Sequence, residues 1–211
     1  MIADLACVQA CAATYTVAPT LPVPVTGTDC CITAAPDGTV IVAFRGSVTA
    51  EDWARDFICA PVEDRAHPQL GPCHAGFLDA AESIVGEVAA AIGDKRFEVS
   101  GHSLGGAVAL GVGALLVLVK KLPLAIVTFG APRFGMQPFV DALHAVPVRQ
   151  YRRGNDPVPT VPFDVPPVLE FLDARDPLIE VGQAQRDPFA CHAIAGYVAD
   201  VAAHLAAPRG P

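Results

Sequence analysis

Basic residues are scarce in this chain. Only 14 Lys and Arg stand against 22 Asp and Glu across 211 residues, a formal net charge of −8, and no basic run exceeds two residues. That excludes the positive footprint a phosphate backbone demands, so nucleic acid is not an expected partner. Charged residues make up only 17% and mean hydropathy is +0.42. The 18 Gly and 20 Pro stay short of the roughly 25–30% of a low-complexity chain, so disorder is excluded as the main reading. Long apolar runs are missing as well. The longest, residues 104–119, contains four Gly and falls below the roughly 20 residues a membrane span needs, so it predicts a buried core helix and no transmembrane segment.

The seven Cys contain no CxxC pair, which removes the usual zinc spacing, and no metal or other cofactor is expected. Cys59 and Cys73 flank a Pro-rich loop and are expected either to close it as a disulfide or to remain buried thiols. Residues 1–17 hold no Lys or Arg and carry Asp4 early, so no charged-then-apolar leader is read there. The compartment stays open: cytoplasmic, or secreted with the leader absent.

Residues 30–33 and 39–44 are short β-prone runs around Pro36-Asp37-Gly38 and predict a hairpin. Phe77, Ala80, Ala81, Ile84, Val88 and Ala91 recur at helical spacing over residues 76–92, and Gly93 stops the pattern. Strands are then expected at 97–100, 124–129 and 148–151, separated by helices at 103–120 and 138–145. A second β-prone pair, 168–172 and 178–181, precedes a last helix at 194–205. Alternating strands of continuous hydrophobicity and helices predict a single α/β domain over residues 1–211, its mainly parallel sheet covered on both faces.

Gly101-His102-Ser103-Leu104-Gly105 fits G-x-S-x-G, with an expected strand entering and a helix leaving. Such a turn projects a serine hydroxyl clear of the sheet, and the helix N-terminus aims backbone N–H groups at any anion formed there. A serine hydroxyl needs a base to take its proton and an acid to orient that base. Of six His, His192 alone follows the last strand pair and precedes the last helix, matching the order Ser, acid, His. His102 is set aside as part of the turn, pointing away from Ser103. Asp156, just after a strand, is the best acid; Asp164, Asp173, Asp176 and Asp187 also lie between Ser103 and His192. Oxyanion donors are expected from the N–H of Leu104 and from Ser47, in the Phe44-Arg45-Gly46-Ser47 loop.

These segments resemble the class 3 lipase family. The resemblance runs from about residue 39 to 197. It rests on Val42-Ala43-Phe44-Arg45-Gly46-Ser47, Asp52-Trp53 with Asp56, His74-Ala75-Gly76-Phe77, the GHSLGG of 101–106, Thr128-Phe129-Gly130-Ala131-Pro132-Arg133-Phe134-Gly135, and Asn155-Asp156-Pro157-Val158-Pro159. It implies an α/β-hydrolase fold, Ser103 as nucleophile with Asp156 and His192 as partners, and Ser47 with Leu104 as oxyanion hole. It also maps a lid helix onto 48–57, where Trp53 is either part of a moving lid or a fixed core anchor. Cys191 stands where the family commonly has Asp. The expected activity is hydrolysis of acylglycerol or other short-to-medium carboxylic esters through an acyl-enzyme, with transient lipid-surface contact. The alternatives are an acyltransferase on the same triad or a catalytically silent binding module.

Overall fold

The computed structural model describes residues 2–23, 28–47, 61–63, 66–163, 170–174 and 177–208. In chain order its strands are β1 (Leu21–Val23), β2 (Thr28–Ala34), β3 (Val40–Phe44), β4 (Pro61–Glu63), β5 (Pro72–His74), β6 (Phe97–His102), β7 (Ile126–Phe129), β8 (Val148–Arg153) and β9 (Ile179–Val181). The helices are α1 (Ile2–Ala13), α2 (Ala75–Ile92), α3 (Leu104–Leu118), α4 (Gln137–Ala142), α5 (Pro188–Cys191) and α6 (Ile194–Ala206). Seven strands form one sheet in the order β1-β2-β3-β6-β7-β8-β9, and β4 pairs with β5 separately. In this sheet every pairing from β3 to β9 is parallel, while β2 runs antiparallel to both of its neighbours, β1 and β3.

The expected hairpin is β2 with β3. Its turn closes because Asp37 accepts from the Thr39 N–H (2.9 Å) and the Thr39 hydroxyl (3.0 Å), and Gly38 takes a φ of 84°. Successive β3 side chains serve opposite faces. Val40, Val42 and Phe44 join the core beneath α2 and α3; Ile41 and Ala43 join a second core with Cys7, Val8 and Cys11 of α1 and Tyr197 and Val201 of α6. Helices therefore cover both faces, as the continuous hydrophobicity of the strands requires. Residues 104–117 of α3 are all buried, which accounts for the longest apolar run as core. Among the described residues no helix is long and apolar enough to cross a membrane.

Besides the small β4–β5 pair and the short α5, which were not expected, three elements differ from expectation. Residues 2–13, read only for a leader, form α1, which docks across the sheet through long-range polar bonds. Asp4 receives Arg149 Nε (2.8 Å) and the Tyr151 hydroxyl (2.7 Å), the Cys7 thiol donates to Glu98 (3.3 Å), and Cys11 meets Ser100 (3.2 Å). The expected strand at 168–172 does not form in its described part: Leu172 makes one isolated bridge to Gly135, which lies outside the sheet and also bridges Cys73. Finally, β1 adds an unforeseen edge strand, where Pro22 is tolerated because an edge leaves one side without ladder bonds.

Cys7, Cys11, Cys30, Cys31 and Cys191 are buried thiols, and Cys73 is buried near the Leu70 carbonyl. Cys59 lies outside the described residues.

Candidate active site

The parallel strands β6, β7 and β8 share one C-terminal end of the sheet, and the sequence-selected residues gather there. β6 runs into Ser103, which has φ 57° and ψ −131°, a conformation an L-residue adopts only where the surroundings enforce it. The enforcement is visible. Ser103 N–H donates to the Phe129 carbonyl of β7 (3.0 Å), and its own carbonyl accepts from Gly106 N–H as α3 begins (2.8 Å). Gly101 and Gly105 leave no space for a side chain, since a Cβ at Gly101 would strike the Gly105 carbonyl and one at Gly105 would strike that of Phe44. Leu104 is the first residue of α3, so its N–H has no intrahelical acceptor.

Gly46 packs against the serine, with only 2.6 Å between an idealised Gly46 Cβ and Ser103 Cβ. The loop is anchored upstream by Arg45, whose guanidinium meets Asp29 at 2.6 Å and whose N–H donates to the Asp29 carbonyl. Ser47 is the next residue after Gly46, three past the end of β3. Trp53 and the rest of segment 48–57 lie outside the described residues.

Asp156 follows β8 and is fully buried, and it holds three hydrogen bonds. Its Oδ1 accepts from Val158 N–H (2.9 Å); its Oδ2 accepts from His192 Nδ1 (2.8 Å) and from the Tyr197 hydroxyl (2.7 Å). Burial by itself would raise this carboxyl. The His192 bond and charge outweigh that, aided by Tyr197 and Val158, and hold it below its ordinary value. A carboxylate can only accept, so His192 carries a proton on Nδ1, and the neutral form of the ring presents its lone pair at Nε2. His192 Nε2 and Ser103 Oγ are buried, and neither has a hydrogen-bond partner among the described residues.

The supports of Asp156 and His192 also bind each other. Tyr197, from α6, accepts the Arg153 N–H (3.1 Å). Asn155 exchanges two bonds with Gln185 (3.0 and 2.9 Å) and receives the Cys191 thiol (3.1 Å), which ties the acid loop to the segment carrying His192. Of the other acids, Asp187 caps α5 at Phe189 N–H and Asp173 faces Arg133 (3.6 Å), while Asp164 and Asp176 lie outside the described residues.

Three groups at the site had no role assigned to them from the sequence. Tyr197 sits 41 residues from Asp156 and has no local signature. Tyr15 reaches in from the end of α1. His102, set aside in the sequence as part of the turn, stacks on His192 with ring centroids 4.8 Å apart, and its Nε2 bonds the His192 carbonyl (2.8 Å). Burial and the neighbouring His192 lower His102 to about 3, so it is neutral at ordinary pH. Its place inside the GHSLGG motif was the only available signal. Among the described residues no cluster of His, Cys, Asp or Glu is arranged to hold a metal.

Residues 41–165 match the family model described as lipase (class 3). The chain belongs to the class 3 lipase family. The secreted mono- and diacylglycerol lipase 1 of Fusarium solani is 32% identical over 134 residues, which cover 58% of this chain and 39% of that protein. A Rhizomucor miehei lipase solved with its propeptide shares the fold, with a TM-score of 0.68 at 24% identity over 89% of this chain and 70% of that one. A solved triacylglycerol lipase whose catalytic centre is formed by a serine protease triad is 27% identical, with a TM-score of 0.61 over 74% of this chain and 62% of its own. The chain spans less than half the length of the curated relatives it matches.

Proposed function

We propose that the chain is a serine carboxylic-ester hydrolase acting on acylglycerols or other short-to-medium carboxylic esters, with Ser103 as nucleophile, His192 as base and Asp156 as orienting acid. The observation that carries this reading is the buried Asp156–His192 hydrogen bond, 2.8 Å, at the same end of the sheet as a serine held at φ 57°. His192 Nε2 takes the hydroxyl proton as Ser103 Oγ attacks the ester carbonyl carbon. The carbonyl oxygen becomes an oxyanion, received by the N–H groups of Ser47 and Leu104. His192 next protonates the departing alkoxide, leaving an acyl-serine, and then deprotonates the water that hydrolyses it. Asp156 stays ionised throughout and fixes the Nδ1–H tautomer.

The family supports the ester class, and the triad of the solved triacylglycerol lipase supports the three roles. An alkyl fluorophosphonate tests the assignment without needing the natural substrate. Peptide mass analysis is expected to find one phosphonyl adduct, on Ser103, forming at least about 10³-fold more slowly in His192→Ala. An adduct elsewhere, or an undiminished rate without His192, contradicts the roles.

A further inference from the structure

Four segments far apart in sequence meet behind the catalytic histidine: the loop after β3, the end of α1, the end of β6 and the turn between α5 and α6. Gly46 N–H donates to the Tyr15 hydroxyl oxygen (3.2 Å), Tyr15 Oη meets His102 Nδ1 (2.6 Å), and His102 Nε2 meets the His192 carbonyl (2.8 Å). The polarity of this chain is fixed from one end. A carbonyl oxygen only accepts, so His102 Nε2 carries the hydrogen; the neutral ring then offers a lone pair at Nδ1, and the Tyr15 hydroxyl donates to it. Burial holds the Tyr15 hydroxyl at about 12, so it remains a donor through the working pH range.

We propose that Tyr15 and His102 are positioning residues, a relay from the Gly46 amide to the His192 carbonyl that sets the oxyanion donor at Ser47 at a fixed distance from the His192 imidazole. The inference rests on the ester-hydrolase reading and deepens it. Asp156 and Tyr197 locate the His192 side chain, but neither reaches the oxyanion loop. The relay does, because Gly46 precedes Ser47 directly and a Cβ at Gly46 would stand 2.8 Å from Tyr15 Oη and 2.6 Å from Ser103 Cβ. Stacking of His102 on His192, with 29° between the ring planes, adds a second hold on the same ring. Two donors and a base that must act on one tetrahedral carbon are thereby tied to one another rather than each to its own strand. Displacement of reacting groups by about 1 Å can cost about 10²-fold in rate, so such a tie has kinetic weight.

The test compares wild type, Tyr15→Phe, His102→Gln and the double variant on p-nitrophenyl butyrate, each well below its own Tm. Phe removes the hydroxyl, and Gln keeps a donor toward the His192 carbonyl while losing the Nδ1 acceptor, so both substitutions cut the Tyr15–His102 link. Each single variant is expected to lose about 10–100-fold in kcat with KM within about twofold, and the double variant is expected to be no worse than the weaker single. A folded single variant with kcat within about twofold of wild type overturns the relay, and so do losses that multiply in the double variant. If Tyr15→Phe does not fold, His102→Gln decides alone. An inert wild type overturns the ester-hydrolase reading and leaves a substrate-free readout for the relay: the low-field proton NMR signal of the Asp156–His192 bond. Faster solvent exchange of that proton in the variants supports the relay, and exchange at the wild-type rate overturns it.

Discussion

A methyl group at position 130 would stand 2.7 Å from Asp156 Oδ2 and 3.0 Å from His192 Nδ1, on a backbone whose φ of 59° already disfavours a side chain. Gly130→Ala is therefore expected to push the acid and base apart. Steady-state kinetics on a soluble ester should show kcat reduced at least about 10²-fold, with KM little changed. Acid stability is a residue-scale property too. His102 titrates near 3 in the fold against about 6.5 unfolded, so between those values the unfolded chain binds a proton that the native chain refuses. Stability from this group is complete above about pH 6.5 and falls as the pH drops toward 3. The loss at pH 4.5 is about 3 kcal/mol by linkage. Asp156 acts later: its lowered carboxyl contributes stability above its ordinary value of 3.8 and loses it as the pH falls through the folded value. Urea unfolding at pH 7 and pH 4.5 checks the first of these, because His102→Gln should flatten the decline; an equal decline in both proteins contradicts it.

At the scale of elements, α1 is the part whose role was least legible. Its sequence holds one charged residue, the buried Asp4, and no capping pattern that stands out, and the bonds that hold it join residues 145 and 91 positions apart, Asp4 to Arg149 and Cys7 to Glu98. No window of local sequence contains such a pairing. Replacing Asp4 leaves Arg149 and Tyr151 without their acceptor in a mostly buried place, so Asp4→Ala is expected to cost about 3 kcal/mol in chemical denaturation. Hydrogen exchange should quicken in α1 before it does in β6 or α3; uniform exchange would show that α1 is held by its apolar face alone. By contrast, α3 was legible from hydrophobicity and Gly content, and the β2–β3 hairpin from Pro36-Asp37-Gly38, because those signals are local. In its described part, residues 170–172, the expected strand does not form for the converse reason: β-prone residues do not make a strand without a ladder to join, and among the described residues Leu172 bridges only Gly135.

For the whole molecule, the α/β class and the lipase family were both readable, since strand and helix periodicity and several ordered motifs are spread along the chain. Ser103, Asp156 and His192 were picked from their order relative to the strands, and the fold places them at the end of β6, after β8 and before α6, which is where the ligands of parallel α/β sheets gather. What stayed hidden was the layer behind them, Tyr15, His102 and Tyr197, whose partners are 87, 90 and 41 residues away. Motifs name the groups that meet substrate; the groups that hold those in place are set by tertiary contact. Hydrolysis of p-nitrophenyl esters from acetate to palmitate by wild type and Ser103→Ala, measured side by side, decides whether Ser103 carries an ester-hydrolase activity. Wild type is expected to turn over, most strongly at short to medium chains, with a loss of at least about 10⁴-fold in the variant. Wild type inert on every ester, or Ser103→Ala retaining activity, would contradict that assignment.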